Sequence, residues 1–491
     1  MRDTAAVAPV LLICAVLLFK TNKLLNILSI ALLTLLIFYG ASILKKIFIG
    51  HPLFALDLRF LNLELWILAV NDWRVLSAVA VTIAIIGILT FLYFKLPFLP
   101  RSRRRLAVFA TLVIVAAAMG VATTGKTRSI FGVSGSLPSV KVFMATIWLF
   151  GDFDLYPDPI PNELASIAPG GPKQAKAAEK TLPHIVFILQ ESTISPAQLV
   201  SAGDYRSKNL FVDHQSSKTG KLRVNVFGGN TWLSEFALVM QFRPEQFGAR
   251  RRYVFFITPG HVRRSLFHVL KDKGYESAVV VPIPRSFVNT GAFYESLGVD
   301  RFEDPAAAGI GTGWDWHLPD RTFLRYAVKQ LGRPKPQVLF VHTINQHGPH
   351  KIDDPMGDYL ARYGESDRAY GEFVKQAKKL TTRPIVFVTF GDHQPTMMSG
   401  LSSPPPRYET SYQVECTEMS VCDFSSLPEQ IDLTLLATYV FQMLGFEKDN
   451  LMIAQTELAA HCPGDISACN PSILARYNWH VSQMVFKGGS D

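Results

Sequence analysis

Apolar residues follow two different patterns in the two parts of this chain. Before residue 126 they form long uncharged runs at 24–44, 75–94 and 106–125, and a shorter run at 5–19. An uncharged run of about 20 apolar residues is long enough to cross a bilayer as a helix. A single such run is more often a buried core helix, but a cluster of them favours membrane insertion. The pattern therefore predicts an α-helical transmembrane domain at 1–125 with four spans.

The segment 52–70 leaves the number of spans open. It carries Asp57, Arg59 and Glu64, and a charge at the centre of a span costs roughly 2.5–3.5 kcal/mol on insertion scales. We interpret this segment as a helix at the membrane interface. If it crosses instead, the domain has five spans.

A basic cluster predicts the orientation of the chain. Its members precede the last apolar run, and they are Arg101, Arg103, Arg104 and Arg105. Positively charged loops stay in the cytoplasm, so we expect the chain after residue 125 to lie on the outer side. Such anchors account for part of the net charge of +9, and we do not interpret that charge as a sign of nucleic-acid binding.

The region 126–181 connects the membrane part to a soluble part. Residues 139–154 are amphipathic and aromatic, a composition suited to a helix lying along a membrane surface. Residues 157–183 are rich in Pro, Ala, Gly and Lys without apolar periodicity, which is typical of a linker. We expect a globular domain at 182–491.

Short apolar runs alternate with helical patterns in this second part. Strands are predicted at 184–190, 277–283, 337–343 and 385–390, and helices near 262–273, 319–331, 365–380 and 428–444. Strands that alternate with helices favour an α/β domain with a mostly parallel sheet and helices on both faces.

The cysteines support an exported domain. Cys14 lies in the first apolar run, and the other four form two closely spaced pairs near the C-terminus. An even number of cysteines in an exported domain indicates two disulfides. We expect Cys416 to pair with Cys422 and Cys462 with Cys469, although four cysteines allow three connectivities and a four-cysteine zinc site is the competing interpretation.

Chemically versatile side chains follow the predicted strands. Glu191 follows the first strand, His347 follows the strand at 337–343, and Asp392 and His393 directly follow the last. Thr231 stands at a predicted helix start after Gly228, Gly229 and Asn230. Ligands of open α/β sheets bind at the carboxyl edge of the strands, so these side chains are candidates for one site.

Two carboxylates and an imidazole suit a divalent cation. Such an ion lowers the pKa of bound water from about 15.7 to about 7, and we expect a similar effect on the Thr231 hydroxyl, which is otherwise a poor nucleophile. The amides at the start of a helix favour an anionic phosphate. The combination predicts attack on a phosphorus or sulfur ester.

Each candidate also has a simpler interpretation. Thr231 alone is more often only the N-cap of its helix. Glu191 alone pairs equally well with a Lys or Arg, and a single loop histidine such as His347 usually makes only a hydrogen bond. The Asp392–His393 pair is harder to explain this way, because buried ionisable groups are costly unless something binds them.

Four segments in order resemble the motifs of membrane-anchored, sulfatase-like phosphotransferases. They are His184–Ser192, Asn230–Phe236, Asn345–Pro349 and Phe390–Gln394. This family includes lipoteichoic acid synthases, phosphoglycerol transferases of periplasmic glucans, and phosphoethanolamine transferases. The resemblance covers roughly 182–445 and implies a sulfatase/alkaline-phosphatase-like fold.

The resemblance also implies a role for each matched residue. Glu191, Asp392 and His393 would bind one divalent metal ion, either Zn or Mn, with Thr231 as the fourth ligand and as the nucleophile that becomes phosphothreonine. His347 would contact the transferred phosphate or protonate the leaving alkoxide. We also expect Asn230 to contact substrate.

The implied reaction moves a phospho-alcohol from a membrane phospholipid to a hydroxyl on an envelope glycan or lipid. The protein would then lie in a bacterial inner membrane, with the catalytic domain on the periplasmic or extracellular side. The oligomeric state stays open.

The head group also stays open. Where lipoteichoic acid synthases offer a Trp and an Arg to glycerol phosphate, this chain has Val288 and Thr290, although Arg285 is a possible substitute. We do not expect sulfate-ester hydrolysis. The alternatives are a phosphodiesterase that uses the same site, and a catalytically silent membrane protein that binds lipid or partner chains.

Overall fold

A computed structural model describes residues 182–311 and 318–486. Within these ranges no helix combines the length and the apolar character needed to cross a bilayer. The predicted transmembrane domain at 1–125 and the predicted juxtamembrane helix and linker at 126–181 lie outside the described residues.

The described domain is built on one eight-stranded sheet with the order β4-β3-β5-β1-β6-β7-β2-β8. The strands are β1 His184–Gln190, β2 Ser217–Arg223, β3 Glu276–Val280, β4 Arg301–Glu303, β5 Gln337–His342, β6 Ile385–Gly391, β7 Glu409–Cys416 and β8 Gln430–Asp432. Neighbouring strands are parallel except where β7 pairs with β6 and β2. The mostly parallel sheet is therefore confirmed.

Helices cover both faces of the sheet. Those of the described ranges are α1 Thr231–Met240, α2 Val254–Ile257, α3 Leu266–Asp272, α4 Thr290–Ser296, α5 Asp320–Ala327, α6 Pro355–Leu380, α7 Leu436–Met443, α8 Asn450–His461 and α9 Pro471–Val485. Helices α5 and α6 pack on one face, and the other helices contribute to the core on the opposite face.

The central strands are continuous apolar runs because both of their faces are covered. In β1, Ile185 and Phe187 belong to one core cluster and Val186 and Ile188 to the other. Every residue of β1, β5 and β6 is buried. Runs of this kind are typical of parallel strands buried between two helix layers, which is why they could be predicted from the sequence.

Two predicted elements need correction or adjustment. The predicted helix at 428–444 is wrong in its first half, where β8 and a 3₁₀ turn come before α7. The Asp432 carboxylate accepts a hydrogen bond from the backbone N–H of Thr434 and so supports that turn. Helix α6 starts at Pro355, ten residues before the predicted start at 365, because Asp354 caps it by accepting from the N–H of Gly357.

Both expected disulfides are present. Cys416 is bonded to Cys422, and Cys462 to Cys469. The first closes a loop at the end of β7, and the second links the end of α8 to the segment before α9. The competing four-cysteine zinc site is therefore not formed.

Candidate active site

The register of the sheet brings Glu191 and Asp392 together. In the parallel pair of β1 and β6, Gln190 is aligned with Gly391, so the next residue of each strand leaves the sheet at the same level. His393 follows immediately and is buried, as are both carboxylates. This is the carboxyl edge at which the sequence predicts a site.

The turn after β1 passes directly over β6. A Cβ atom at Gly391 would lie 1.8 Å from the carbonyl oxygen of Thr193. Ser192 has a positive φ of 51°, and its N–H donates a hydrogen bond of 2.7 Å to Oδ1 of Asp392. The close approach therefore fixes one oxygen of Asp392 and leaves the other free to bind elsewhere.

Thr231 is the first residue of α1, and it lies at the same edge of the sheet as Glu191 and His393. Its hydroxyl donates to Oε2 of Glu191 at 3.0 Å and lies 3.3 Å from Nε2 of His393. The N-cap is Asn230, which has a left-handed backbone with φ 66°. The simpler interpretation of Thr231 as an N-cap is therefore wrong, since its hydroxyl is directed at Glu191 and not at the backbone of its own helix.

Asn230 lies beside Thr231 but does not cap the helix with its side chain. Its Oδ1 is buried and has no hydrogen-bond partner among the described residues. The loop before it is held by Gly228, whose N–H donates to the carbonyl of Gln394 at 2.9 Å. An unused buried acceptor next to the hydroxyl is consistent with the expected contact to substrate.

The cluster fits a divalent cation. One ligand atom each from Glu191, Asp392 and His393 lie within 4.8 Å of one another. Oδ2 of Asp392 is buried and has no hydrogen-bond partner among the described residues, although Nε2 of His393 is only 3.2 Å away. Two carboxylates, one imidazole and a hydroxyl form a donor set that suits zinc or manganese.

The two carboxylates differ in their electrostatics. Burial by itself raises the pKa of Glu191, but the His342 hydrogen bond and the nearby histidine charges outweigh it and hold this pKa well below its usual range. Burial and the charge of Glu191 raise the pKa of Asp392 to about 7. Crowding of negative charge at Asp392 is what a bound cation would relieve.

His347 lies in the loop after β5, near the cluster. Its charge lowers the pKa of Glu191, while burial lowers the pKa of His347 itself against the opposing effect of Glu191. Arg362 of α6 donates to the carbonyl oxygens of His347 and Pro349 at 2.9 and 3.1 Å. The five residues predicted from strand ends and the helix start are thus in one region.

Three buried residues next to the cluster were not among the predicted site residues. His342, the last residue of β5, lies with Nε2 3.3 Å from Oε2 of Glu191 and with Nδ1 3.4 Å from Oε1 of Glu235. Tyr294 of α4 donates its hydroxyl to Oε2 of Glu235 at 2.5 Å. A histidine at the end of a buried strand was the available signal for His342; Tyr294 had none.

These neighbours are electrostatically linked. Burial alone lowers the pKa of His342, but its hydrogen bond to Glu191 and the charges of Glu235 and Glu191 raise it overall. Burial raises the pKa of Glu235, and burial together with the Glu235 charge raises the pKa of Tyr294 well above its usual value.

Arg285, the possible substitute for a glycerol-phosphate ligand, is engaged elsewhere. Its guanidinium pairs with Glu295, and its backbone N–H donates to Oδ2 of Asp304 at 3.1 Å. Val288 and Thr290 lie in the same segment, where the Thr290 hydroxyl donates to the carbonyl of Phe287 at 2.6 Å.

Part of the described domain is similar to a known protein family. Residues 183–416 match the Sulfatase family. An uncharacterized protein of Haemophilus influenzae is 23% identical over 347 residues, which are 63% of this chain and 62% of that protein. The lipoteichoic acid synthase-like protein YvgJ of Bacillus subtilis is 29% identical over 226 residues, which are 42% of this chain and 34% of that protein. The chain thus spans less than two thirds of the length of either relative.

Among solved structures, the phosphoglycerol transferase GacH of Streptococcus pyogenes, in complex with sn-glycerol-1-phosphate, is similar to this chain. The TM-score is 0.47 at 15% identity, and the match covers 62% of this chain and 86% of the other.

Proposed function

Because residues 183–416 form a Sulfatase-family domain, we propose that this protein transfers a phospho-alcohol head group, phosphoethanolamine or phosphoglycerol. The donor is a membrane phospholipid, and the acceptor is a hydroxyl on an envelope glycan or lipid. The observation that carries the proposal is the position of the Thr231 hydroxyl, 3.0 Å from Glu191 and 3.3 Å from His393.

In this proposal Glu191, Asp392, His393 and Thr231 would hold one divalent cation, zinc or manganese. A cation bound there would favour the ionised form of the Thr231 hydroxyl and offset the negative charge of the phosphate. The partnerless Oδ2 of Asp392 supports this ligand set.

The residues of the chain orient the attack. The Thr231 proton is directed at Oε2 of Glu191, so the remaining lone pairs of Oγ1 are available to the phosphorus. The Oγ1–P bond forms as the bond from phosphorus to the diacylglycerol oxygen breaks. Thr231 loses its hydroxyl proton and the departing oxygen gains one, so diacylglycerol leaves as the neutral alcohol. His347 and Asn230 contact the phosphate, and the start of α1 presents backbone N–H groups to it.

The second step regenerates Thr231. An acceptor hydroxyl attacks the phosphothreonine, the bond from phosphorus to Oγ1 breaks, and the proton of the acceptor passes to the Thr231 oxygen. If water takes the place of the acceptor, the same site acts as a phosphodiesterase. The name of the Bacillus subtilis relative, a lipoteichoic acid synthase-like protein, supports transfer.

Sulfate-ester hydrolysis has little support, even though 403–407 has the Ser-x-Pro-x-Arg pattern of sulfatases. Ser403 is exposed in the loop between β6 and β7. The proposed nucleophile is instead Thr231, whose hydroxyl lies 3.0 Å from Oε2 of Glu191.

We also propose that the protein is a multi-pass protein of a bacterial inner membrane, with this domain on the periplasmic or extracellular side. The uncharged runs before residue 126 support insertion. The two disulfides support an oxidising compartment.

Mass spectrometry of the full-length chain tests the mechanism. Incubation with phosphatidylethanolamine or phosphatidylglycerol, each labelled in the head group, should give a phospho-alcohol adduct on Thr231, and the identity of the adduct names the donor. Thr231→Ala should give no adduct and no product, and a chelator should block both. Full activity in Thr231→Ala would contradict the mechanism.

Adding an acceptor to the same incubation distinguishes transfer from hydrolysis and from binding without catalysis. Transfer predicts labelled glycan or lipid when an acceptor is added, whereas a phosphodiesterase releases free phospho-alcohol whether or not an acceptor is present. A catalytically silent binding protein gives neither product with any donor.

A further inference from the structure

His342 lies between two buried carboxylates. One ring nitrogen is 3.3 Å from Oε2 of Glu191, and the other is 3.4 Å from Oε1 of Glu235. The three side chains are no more than 5% exposed. Two carboxylates this deep in a protein are costly unless each has a partner. The imidazole is hydrogen-bonded to Glu191 and lies within ion-pair distance of Glu235, although its Nδ1 makes no hydrogen bond among the described residues.

Glu235 is held from its other side as well. Its Oε2 accepts a hydrogen bond of 2.5 Å from the hydroxyl of Tyr294, which is completely buried. Both oxygens of Glu235 therefore face a polar neighbour, and this carboxylate is pinned between α4 and β5. These two contacts fix the orientation of the Glu235 carboxylate.

Glu235 also links this cluster to the helix that carries Thr231. Glu235 and Thr231 lie on α1, four residues apart, so they are on the same face of the helix, one turn from each other. Thr231 contacts Oε2 of Glu191 directly, and Glu235 reaches the same oxygen through His342. Two contacts one turn apart define both the height and the rotation of α1 relative to β1.

We propose that His342 and Glu235 are a pair of positioning residues, with Tyr294 as their brace. The pair orients the Glu191 carboxylate for a cation and holds the Thr231 hydroxyl against it. Neither residue reacts with substrate. This inference rests on the proposed function, because it assigns the pair to the same metal centre and the same nucleophile.

Variants of this pair should bind the cation more weakly and react more slowly. Loss of a hydrogen-bond partner behind a metal ligand typically weakens metal binding by about 10–100-fold. Displacement of a reacting group by about 1 Å typically lowers the rate by about 100-fold. A purely structural role would lower the stability of the fold without these specific losses.

The chain offers a matched control. Tyr370 of α6 donates to Oε2 of Glu415 at 2.9 Å, and both residues are buried. Glu415 is aligned with Phe387 near the start of β6, at the opposite end of that strand from Asp392. Glu415→Gln and Tyr370→Phe therefore remove a similar buried contact at a place remote from the site.

The experiment measures Zn²⁺ and Mn²⁺ binding by titration calorimetry and the melting temperature of the metal-free protein, on full-length chains. Adduct formation on Thr231 is measured in parallel. We expect Glu235→Gln and His342→Gln to bind either cation about 10–100-fold more weakly than wild type, and Tyr294→Phe to change in the same direction by less. Glu415→Gln and Tyr370→Phe should keep the affinity of wild type.

The outcomes separate this inference from the proposed function. If Glu235→Gln and Glu415→Gln have equal cation affinities, or if the affinities simply follow the melting temperatures, the positioning pair is refuted while the metal centre stands. If wild type binds a cation and the pair behaves as expected but Thr231 is never modified, the proposed transfer is refuted and the pair stands. Should His342→Gln not fold, Glu235→Gln and Tyr294→Phe decide the question.

Discussion

At Gly391 the backbone of β6 runs too close to the turn after β1 for any side chain. The clearance is set by the Thr193 carbonyl oxygen, 1.8 Å from where a Cβ would be. The same turn presents the Ser192 N–H to Asp392 at 2.7 Å. Close backbone packing at one residue therefore determines where the side chain of the next residue, a proposed metal ligand, is held.

We expect Gly391→Ala to destabilise the protein, because the added methyl group must push the turn away; overpacking of this kind costs roughly 1–3 kcal/mol. It should also weaken Mn²⁺ binding, since Asp392 shifts with the turn. Urea unfolding and calorimetry measure the two effects. Gly400→Ala is the control, because a Cβ at Gly400 meets nothing within 4 Å. Equal behaviour of the two variants would argue against the close approach.

His347 and Asp392 should be separable by their effects. Asp392→Asn removes a proposed metal ligand, so both metal binding and adduct formation on Thr231 should be lost. His347→Gln should keep the cation affinity close to that of wild type and slow adduct formation by on the order of 100-fold or more, as expected for loss of a group that assists proton or phosphate transfer. If His347→Gln abolished cation binding, His347 would be a ligand and its proposed role would be wrong.

At the scale of elements, burial decided which strands could be predicted. Strands β1, β3, β5 and β6 were predicted because most of their residues are apolar, as is typical of parallel strands covered on both faces. Strands β2, β4, β7 and β8 were not predicted, and β4 and β8 have only three residues each. β2 is polar along most of its length, with the sequence Ser-Lys-Thr-Gly-Lys-Leu-Arg, and β7 buries polar residues such as Gln413 and Glu415 beside its apolar ones.

His184 ties the start of β1 to the start of β5. Its Nδ1 accepts a hydrogen bond of 2.9 Å from the N–H of Gln337, which requires the unprotonated nitrogen. Burial and the charge of Arg383 lower the pKa of His184 to about 4. In the unfolded chain this histidine has a pKa near 6.5. Between about pH 4 and about pH 6.5 it therefore binds a proton more readily in the unfolded chain than in the folded one.

We therefore expect this histidine to stabilise the fold fully above about pH 6.5 and to lose that contribution, up to about 3 kcal/mol, as the pH falls toward about 4. His184→Asn removes the titrating group and should flatten the pH dependence of unfolding in this window. Urea unfolding at several pH values between about 4 and about 7.5 measures it. His214→Asn, at an exposed position, should leave the wild-type dependence; a His184→Asn curve parallel to wild type would contradict the assignment.

At the scale of the whole described domain, the disulfide Cys416–Cys422 lies far from the candidate site. Cys416 is aligned with Val386, so most of the length of β6, about 17 Å at about 3.3 Å per residue, separates this disulfide from Gly391. Both bonds close short loops, with sequence separations of 6 and 7. In the chain-entropy account they stabilise the fold by restricting the unfolded chain.

Reduction should accordingly lower the melting temperature by several degrees, since each short loop contributes roughly 2 kcal/mol in the chain-entropy estimate. Mn²⁺ affinity measured below that temperature should not change. A phosphine reductant and calorimetry give both values on one sample. A loss of Mn²⁺ binding upon reduction, with the fold intact, would show that the disulfides and the site are coupled.

The sequence by itself determined the α/β architecture, the central strands and the residues that follow them. A parallel strand covered on both faces is mostly apolar, so a Glu or an Asp-His pair at its end stands out, and the ends of parallel strands share one edge of the sheet. Glu191, Asp392 and His393 were predicted as site residues for this reason, and Thr231 was predicted from its glycine-rich helix start.

Only the tertiary structure decided what surrounds these groups. His342, Glu235 and Tyr294 come from β5, α1 and α4, and nothing in their spacing along the chain indicates that they touch. Their contacts depend on how the helices pack against the sheet, which is set by many apolar side chains acting together. Local sequence pattern identifies the ends of the strands; packing over the whole domain selects the partners that meet there.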